Sequence, residues 1–340
     1  MSNNAKIFKA LISLTVVAMM IGVTTAWGDD NPAKLDKVTF RLNYFAQGSH
    51  APVFYGADTG IFKKHNIDIA IGEGKGSGST VSIVASKGDM IGYADAGTIF
   101  ALIAKGAPVK VIAPVYSKLS SAVISLAKTG INKPGDIVAK KIGITEGDGP
   151  AKLFDAFLKN AGISRNQLTV IAMDPNSKVP ALLNGQVDAI LGGFDDQPFV
   201  IKAKGQEPSI LAYADYGVQA VGMVLVAHND TITGNPDLLK RFIKAYAESW
   251  AEAYKHPDEA LQSLFKKFPD LMPDTAKNQL NAGFGLLISS HSRGICNVDD
   301  KLFTESIVVF KNYMGLDAAI RPESLYTRDF FPANAPQLTK

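Results

Sequence analysis

The chain is short of several things, and each shortage narrows its chemistry. Its 340 residues include one cysteine, Cys296. A single thiol makes no internal disulfide, so the fold must rest on buried apolar surface. Charge of neither sign dominates: 35 Lys+Arg stand against 32 Asp+Glu, a formal net charge of +3. Basic residues nowhere form a block interleaved with aromatics, so no nucleic-acid partner is expected. The histidines at 50, 65, 228, 256 and 291 have no metal-ligand spacing. A Gly-x-Ser-x-Gly elbow is missing as well. Enzyme activity, a resident metal and a cofactor are therefore not expected. Internal repeats and low-complexity segments are absent too.

The composition is otherwise that of a globular protein, with 46% hydrophobic and 20% charged residues. That length can support two lobes with separate cores. One long apolar run stands out, Ala10–Val23, preceded by Lys6 and Lys9 and followed by Thr24-Thr25-Ala26. The pattern reads as a secretory signal peptide, residues 1–26, cut after Ala26. A membrane anchor is the weaker reading, because the run falls short of the roughly 20 residues a bilayer span needs. Cys296 is far from the cut, where a lipoprotein would need its cysteine. A soluble, monomeric periplasmic protein is expected.

The stretch Thr39–Ile71 is the most informative. Thr39–Tyr44 alternates polar and apolar residues as a strand does. A loop with Gln47, Gly48, Ser49 and His50 follows. Pro52 opens a helical pattern, Pro52–Lys64, which Gly60 interrupts lightly and Asn66 ends. Ile67–Ile71 reads as a second strand. Strand, loop, helix and parallel strand form one βαβ unit, and in open α/β sheets ligands sit at the carboxyl ends of strands. Tyr44, Phe45, Gln47 and His50 fall there. Tyr44 and Phe45 would point to opposite faces of a continuing strand, and Tyr44 is favoured for the cleft.

Further along, Gly72–Thr80 is glycine-rich and runs into a helix over Val81–Lys87. It is neither a P-loop nor a dinucleotide fingerprint. Its N–H groups could hold a polar ligand, or it could be a turn capped by Ser79 or Thr80. Strands at Met90–Tyr93 and Val109–Ala113 flank a helix at Thr98–Lys105. Ser121–Ala127 then crosses to a second lobe. There the strands Lys140–Ile144, Leu168–Ala172 and Val187–Leu191 alternate with helices Ala151–Ala161 and Lys178–Asn184. Gln206–Tyr213 turns back, and Val221–Ala227 returns to the first lobe. The remainder is helical: Pro236–Tyr254, Asp258–Lys267, Thr275–Leu287 and Lys301–Tyr313. Phe242, Tyr246 and Trp250 form a packing stripe. Arg321–Lys340 reads as a tail on the surface. The fold class is thus α/β, with two lobes: 27–120 plus 222–340, and 121–221.

Candidate site residues cluster at the strand ends. The first lobe offers Tyr44, Phe45, His50, Gly76, Ser77, Ser79, Asp95 and Tyr116. The second offers Glu146, Gly147, Phe194 and Asp195. Asp148 and Asp196, each close before a proline, read better as helix caps. Lys75 and Lys118 are the only bases nearby, and no arginine falls at an expected strand end. Acids with aromatics suit a flat ring bearing amino groups better than a sulfonate or nitrate, which favours arginine forks or several N–H donors.

Several motifs carry a family resemblance. They are Asn43-Tyr44, His50-Ala51-Pro52, Gly60-Ile61-Phe62-Lys63-Lys64-His65, Lys87-Gly88-Asp89-Met90, and Leu182-Leu183-Asn184-Gly185-Gln186-Val187-Asp188-Ala189. Together they resemble the ABC-transporter solute-binding proteins related to thiamin-pyrimidine, nitrate, sulfonate and taurine binders. The His-Ala-Pro version is most similar to the pyrimidine-precursor branch. The resemblance implies a two-lobed, type II-like periplasmic binding fold. Each lobe would be a mixed, mainly parallel sheet flanked by helices, and two strands would make the hinge. It also implies a small-molecule ligand held between the lobes and an ABC permease in the inner membrane as partner. The ligand would be hydroxymethylpyrimidine or its formylamino relative; an alkanesulfonate, taurine or nitrate is the alternative. A periplasmic sensor partner would share every feature. A related fungal pyrimidine-synthesising enzyme carries a cysteine-rich motif that this chain lacks.

Overall fold

The computed structural model describes residues 35–314, 316, 317 and 319–338. The signal peptide expected at 1–26 lies outside the described residues. In chain order the elements begin β1 (Asp36–Arg41), α1 (Ala51–Asp58), α2 (Ile61–Lys64), β2 (Ile67–Gly72), α3 (Ser77–Ala85), β3 (Ile91–Asp95), α4 (Ala96–Ala104) and β4 (Val109–Pro114). Next come β5 (Ser121–Leu126), β6 (Lys141–Ile144), α5 (Gly149–Asn160), β7 (Thr169–Ala172), α6 (Lys178–Leu183), β8 (Ala189–Gly193), α7 (Gln197–Ala203) and β9 (Pro208–Ala212). The chain continues through β10 (Met223–His228), α8 (Asn229–Gly234), α9 (Pro236–Lys255), α10 (Pro257–Phe265), α11 (Pro273–Leu287), α12 (Asp300–Met314) and α13 (Pro322–Leu325).

The strands form two sheets of five, ordered β2-β1-β3-β10-β4 and β7-β6-β8-β5-β9. β1 runs parallel to β2 and β3, and β6 runs parallel to β7 and β8. β10 is antiparallel to both its neighbours, and so is β5. The reversal follows from the connections. β5 and β10 are the strands that arrive from the other sheet. They enter at the end where the parallel strands finish, so they must run the opposite way. Both sheets therefore aim the carboxyl ends of their parallel strands at the crossings, where α/β sheets bind ligands.

The two crossings are bonded to each other. Gly222 N–H donates to Tyr116 O at 2.9 Å, and Met223 O accepts from Val115 N and Tyr116 N at 2.8 and 2.9 Å. A side chain at Gly222 would meet Lys118 O at 2.2 Å, so glycine lets the two segments touch. The expected fold class holds: two mixed, mainly parallel sheets flanked by helices, joined through a two-strand hinge.

Packing explains the elements read most easily. On α9, Phe242, Tyr246 and Trp250 are spaced by four residues and lie 0–2% exposed. Phe242 and Tyr246 stack at 6.1 Å between centroids. They cover one face of the first sheet together with residues of α1, α10 and α11. Truncating such a ring to alanine costs roughly 3–5 kcal/mol. A second core lies on the other face of that sheet and extends to α5, α12 and the second sheet. A third, smaller one lies under α6 and α7.

Some boundaries differ from expectation. The helix read over Pro52–Lys64 is two helices, because Gly60 takes φ +81° and turns the chain between them. β1 stops at Arg41 rather than reaching Tyr44. Arg41 is therefore an arginine at a strand end, contrary to the sequence reading. It is consumed locally: its Nε pairs with Asp89 at 2.6 Å and its Nη1 donates to Glu73 O at 2.8 Å. Helix α3 begins at Ser77, inside the glycine-rich stretch. The tail is not merely superficial, since Phe330 is buried and Tyr326 stacks on Phe303 at 4.3 Å. Cys296 is buried, with its thiol pKa pushed up by desolvation. Among the described residues no helix is long and apolar enough to cross a membrane.

Candidate ligand-binding site

A chamber of about 80 Å³ lies where the strand ends of the two sheets face one another. By the measure that gives one water about 10–15 Å³, it has room for a few waters or one small ring. The first sheet contributes Asn43, Tyr44, His50, Ser77, Tyr93 and Asp95. The second contributes Asp148, Gly193, Asp195, Asp196 and Gln197, and Tyr116 and Gly222 come from the hinge. Among the lining residues there is no arginine or lysine.

Of the residues expected from the sequence, Tyr44, His50, Ser77, Asp95, Tyr116 and Asp195 line this chamber. Phe45, Gly76, Ser79, Glu146, Gly147 and Phe194 do not, and each has a physical reason. Phe45 packs edge-on behind Tyr44 with ring centroids 5.1 Å apart. With β1 ending early, strand alternation no longer governs these two rings. Gly76 spends its N–H on Asn43 O at 2.9 Å, just as Gly74 spends its own on Tyr44 O at 3.0 Å. The glycine-rich stretch thus ties down the loop after β1 instead of presenting those N–H groups. Neither expected cap operates there: Ser79 is exposed, and Thr80 Oγ1 donates to Leu42 O at 2.7 Å. Glu146 and Gly147 are exposed at the turn before α5. Phe194 lines a second cavity of about 730 Å³ on Lys118, Leu119, Ile210 and His291. That cavity is larger, yet the buried acids and the parallel strand ends converge on the first.

The acids divide their work differently from the sequence reading. Asp95 is the cap of α4, its Oδ1 accepting from Thr98 N at 2.8 Å. Asp148 caps α5 through Gly149 N at 2.9 Å, as expected. It also pairs at 3.3 Å with Lys178 Nζ, which is 1% exposed and donates to Leu191 O at 2.8 Å. Asp196 is not a cap. Its side chain makes no bond to the first turn of α7, and its Oδ1 accepts from Gln279 Nε2 at 2.7 Å. With the Gln47 amide turned to suit its neighbours, its nitrogen donates to both Asp196 oxygens at 3.2 and 3.3 Å.

Burial sets the protonation of the chamber. Desolvation raises Asp95 to about 6. It raises Asp196 to about 7, with Asp195 adding to the rise and Lys178 opposing it. Asp195 is raised as well, against a hydrogen bond from Ser120. Burial also pushes up Tyr44, Tyr93 and Tyr116, which stay neutral hydroxyls. His50 is pushed down to about 3 by desolvation. Its Nδ1 accepts from Gln47 N at 3.3 Å and its Nε2 meets Asn43 Oδ1 at 2.9 Å, so the proton sits on Nε2. Both ring nitrogens are committed to the protein, and His50 shapes the loop.

Two buried polar atoms on the chamber have no partner, Tyr116 Oη and Gln197 Oε1. The hydroxyls of Tyr93 and Ser49 stand beside Tyr116, but neither meets it with hydrogen-bond geometry. Buried groups left this way cost free energy unless something pairs with them. Sequence reasoning missed Tyr93, although it lies two residues before Asp95 on β3 and so on the same face. It also missed Gln197 and Lys178, for which the sequence carried no signal.

Comparison with known proteins agrees with this architecture. The family described as NMT1/THI5 like matches residues 47–260, more than half of the chain. The chain belongs to that family. A putative thiamine biosynthesis protein of Haemophilus influenzae is 24% identical over 72% of this chain and 77% of its own. The 4-amino-5-hydroxymethyl-2-methylpyrimidine phosphate synthase of Schizosaccharomyces pombe is 27% identical over 65% of this chain and 67% of its own. Among solved structures, the alkanesulfonate-binding protein SsuA of Xanthomonas axonopodis, bound to MOPS, superposes with TM-score 0.68 at 12% identity, covering 87% of this chain and 98% of that one. The shared fold is that of periplasmic binding proteins.

Proposed function

We propose that this chain is the solute-binding component of an ABC importer. It would capture a small amino-bearing heteroaromatic between residues 27–120 plus 222–340 and residues 121–221, and deliver it to a membrane permease. The solute class is a thiamin pyrimidine precursor, hydroxymethylpyrimidine or its formylamino relative. The signal-peptide pattern read in residues 1–26 supports work in the periplasm.

The observation that carries this reading is the charge of the chamber. Asp95, Asp148, Asp195 and Asp196 line it; behind them buried Lys178 is already paired with Asp148, and half-buried Lys152 acts on Asp95 and Asp148 without lining the chamber. A sulfonate brought there would meet carboxylates with no cation on the chamber wall to offset them. An aminopyrimidine presents a ring nitrogen beside an amino group, one acceptor and one donor. A carboxyl whose pKa lies near neutrality offers the complement, either as carboxylate or as acid. Tyr44, Tyr93 and Tyr116 supply ring faces and hydroxyls.

A second reading, an alkanesulfonate or taurine binder, draws on the hydroxyls of Ser49, Ser77, Ser120 and Ser121 around the same space. The synthase reading, suggested by the yeast relative, is less well supported, because the lone Cys296 is buried and does not line the chamber. Titration calorimetry of the refolded, ligand-stripped protein against hydroxymethylpyrimidine, its formylamino relative and taurine decides among them. Binding to a pyrimidine alone, micromolar or tighter, is the expected result. Binding to taurine alone would overturn it, and so would silence with both pyrimidines.

A further inference from the structure

Gln279 stands on α11, beyond the segment that matches the family, and is 4% exposed. Its side chain is committed at both ends. Oε1 accepts from Gly48 N at 2.8 Å, and Nε2 donates to Asp196 Oδ1 at 2.7 Å. The first bond fixes the second. A backbone N–H can only donate, so the amide oxygen must face Gly48 and the amide nitrogen must face Asp196. One turn earlier on the same helix, Ala276 presses on the same loop, where a Cβ at Gly48 would stand 1.8 Å from its carbonyl oxygen. The helix therefore grips the loop after β1, which belongs to the first sheet's side, and reaches through Gln279 to an acid on the second.

Gln47 repeats the pattern from the loop itself, donating to both Asp196 oxygens. A carboxylate has about four lone-pair positions, and the two glutamines take three. Asp196 is thus largely satisfied by protein, whereas Asp195, its neighbour in sequence, meets no glutamine and also faces the chamber. The other ionisable groups facing Asp196 are Asp195 beside it, Lys178 on α6, Asp148 before α5 and Tyr44 in the loop.

We propose that Gln279, with Gln47, is a positioning residue that latches the first lobe onto Asp196 in the closed form and so leaves Asp195 as the acid that meets the solute. The proposal rests on the chamber being the solute site. Hinge closure then has a chemical lock, a donor on one lobe facing an acceptor on the other. The lock has a polarity, and that polarity can be reversed.

The test uses the full mature chain with Ser86→Cys and Lys204→Cys, both exposed sites on opposite lobes, carrying spin labels; buried Cys296 stays unlabelled. The inter-label distance distribution, measured without solute at pH 8, reports closure directly. Gln279→Glu turns the donor into an acceptor facing Asp196. It should cut the closed population and weaken hydroxymethylpyrimidine binding by about tenfold or more, the loss typical of a buried charged hydrogen bond. Adding Asp196→Asn to that variant restores a donor facing an acceptor and should recover most of the closed population, which a merely structural role for Gln279 would not give. Gln279→Met, similar in volume, should lie between, and it keeps the test available if the charged variant does not fold. An unchanged distance distribution in Gln279→Glu, or no recovery in the double variant, would overturn the latch. If wild type binds no pyrimidine while the distances respond as expected, the latch stands and the solute assignment falls.

Discussion

Gly149, the first residue of α5 on the second lobe, lies against the carboxyl group of Asp95 on the first. A Cβ built on Gly149 would stand 2.5 Å from Asp95 Cγ and 2.7–2.8 Å from its oxygens. The absence of a side chain at 149 is what lets the two strand ends approach. Gly149→Ala should therefore still fold, because the cores on the outer faces of the two sheets contain no residue of α5, yet fail to close fully. The expected readout is affinity for hydroxymethylpyrimidine reduced by about tenfold or more, since burying an atom there forces displacement rather than contact. Small-angle scattering should show no contraction on adding solute. Wild-type affinity and contraction would mean that closure does not bring these residues together in solution.

How much of this was legible beforehand depended on how local each cause was. The stripe of Phe242, Tyr246 and Trp250 on α9 was readable because helical spacing repeats a local geometry. So were the returning strands β5 and β10, which are mostly apolar and buried along their whole length. Asp196 was misread as a cap because an acid two residues before a proline usually caps. Its true partner, Gln279, lies 83 residues away, and Gln279 in turn meets Gly48 from 231 residues away. No local pattern announces such a contact. Asp95 shows the reverse: its position at a strand end suggested the chamber, which it lines, while its local duty to Thr98 N was overlooked.

Tyr116 offers a separation of stability from function. Its hydroxyl is buried on the chamber without a partner. Tyr116→Phe removes that unpaired group, so the melting temperature should hold or rise slightly. If a solute atom pairs with the hydroxyl, affinity should fall by roughly five- to tenfold, the worth of one hydrogen bond of about 1–1.5 kcal/mol. Chemical denaturation and calorimetry on the same preparation check both halves. Lower stability with unchanged affinity would mean that the hydroxyl serves the hinge.

Asp195 and Tyr44 are the direct tests of the acidic-aromatic reading. Asp195→Asn keeps the shape and removes the charge, and it should weaken an amino-bearing ring by more than about tenfold, the cost of losing a charged partner in a buried site. Tyr44→Ala should weaken it through lost stacking, worth about 0.5–1.5 kcal/mol beyond area. Unchanged affinity in the first variant would remove Asp195 from the site, and in the second would shift attention to Phe45.

The pH dependence of stability carries two opposed contributions, and one substitution separates them. His50 is held near 3 against an ordinary 6.5, so between those values the unfolded chain takes up a proton that the folded chain refuses. Its contribution to stability is present above pH 6.5 and is lost as pH falls toward 3. Asp95 and Asp196 are raised from 3.8 to about 6 and about 7. Between pH 3.8 and 7 the folded chain binds the extra protons, so their contribution is best at low pH and declines as pH rises through that window. In the wild type the two slopes partly cancel. His50→Gln keeps an amide to bond Asn43 while removing the titration. Its overall stability should drop, and its melting temperature should now fall as pH is raised from about 4 to 7. A profile parallel to wild type would show that His50 is protonated as readily in the folded chamber as in the unfolded chain.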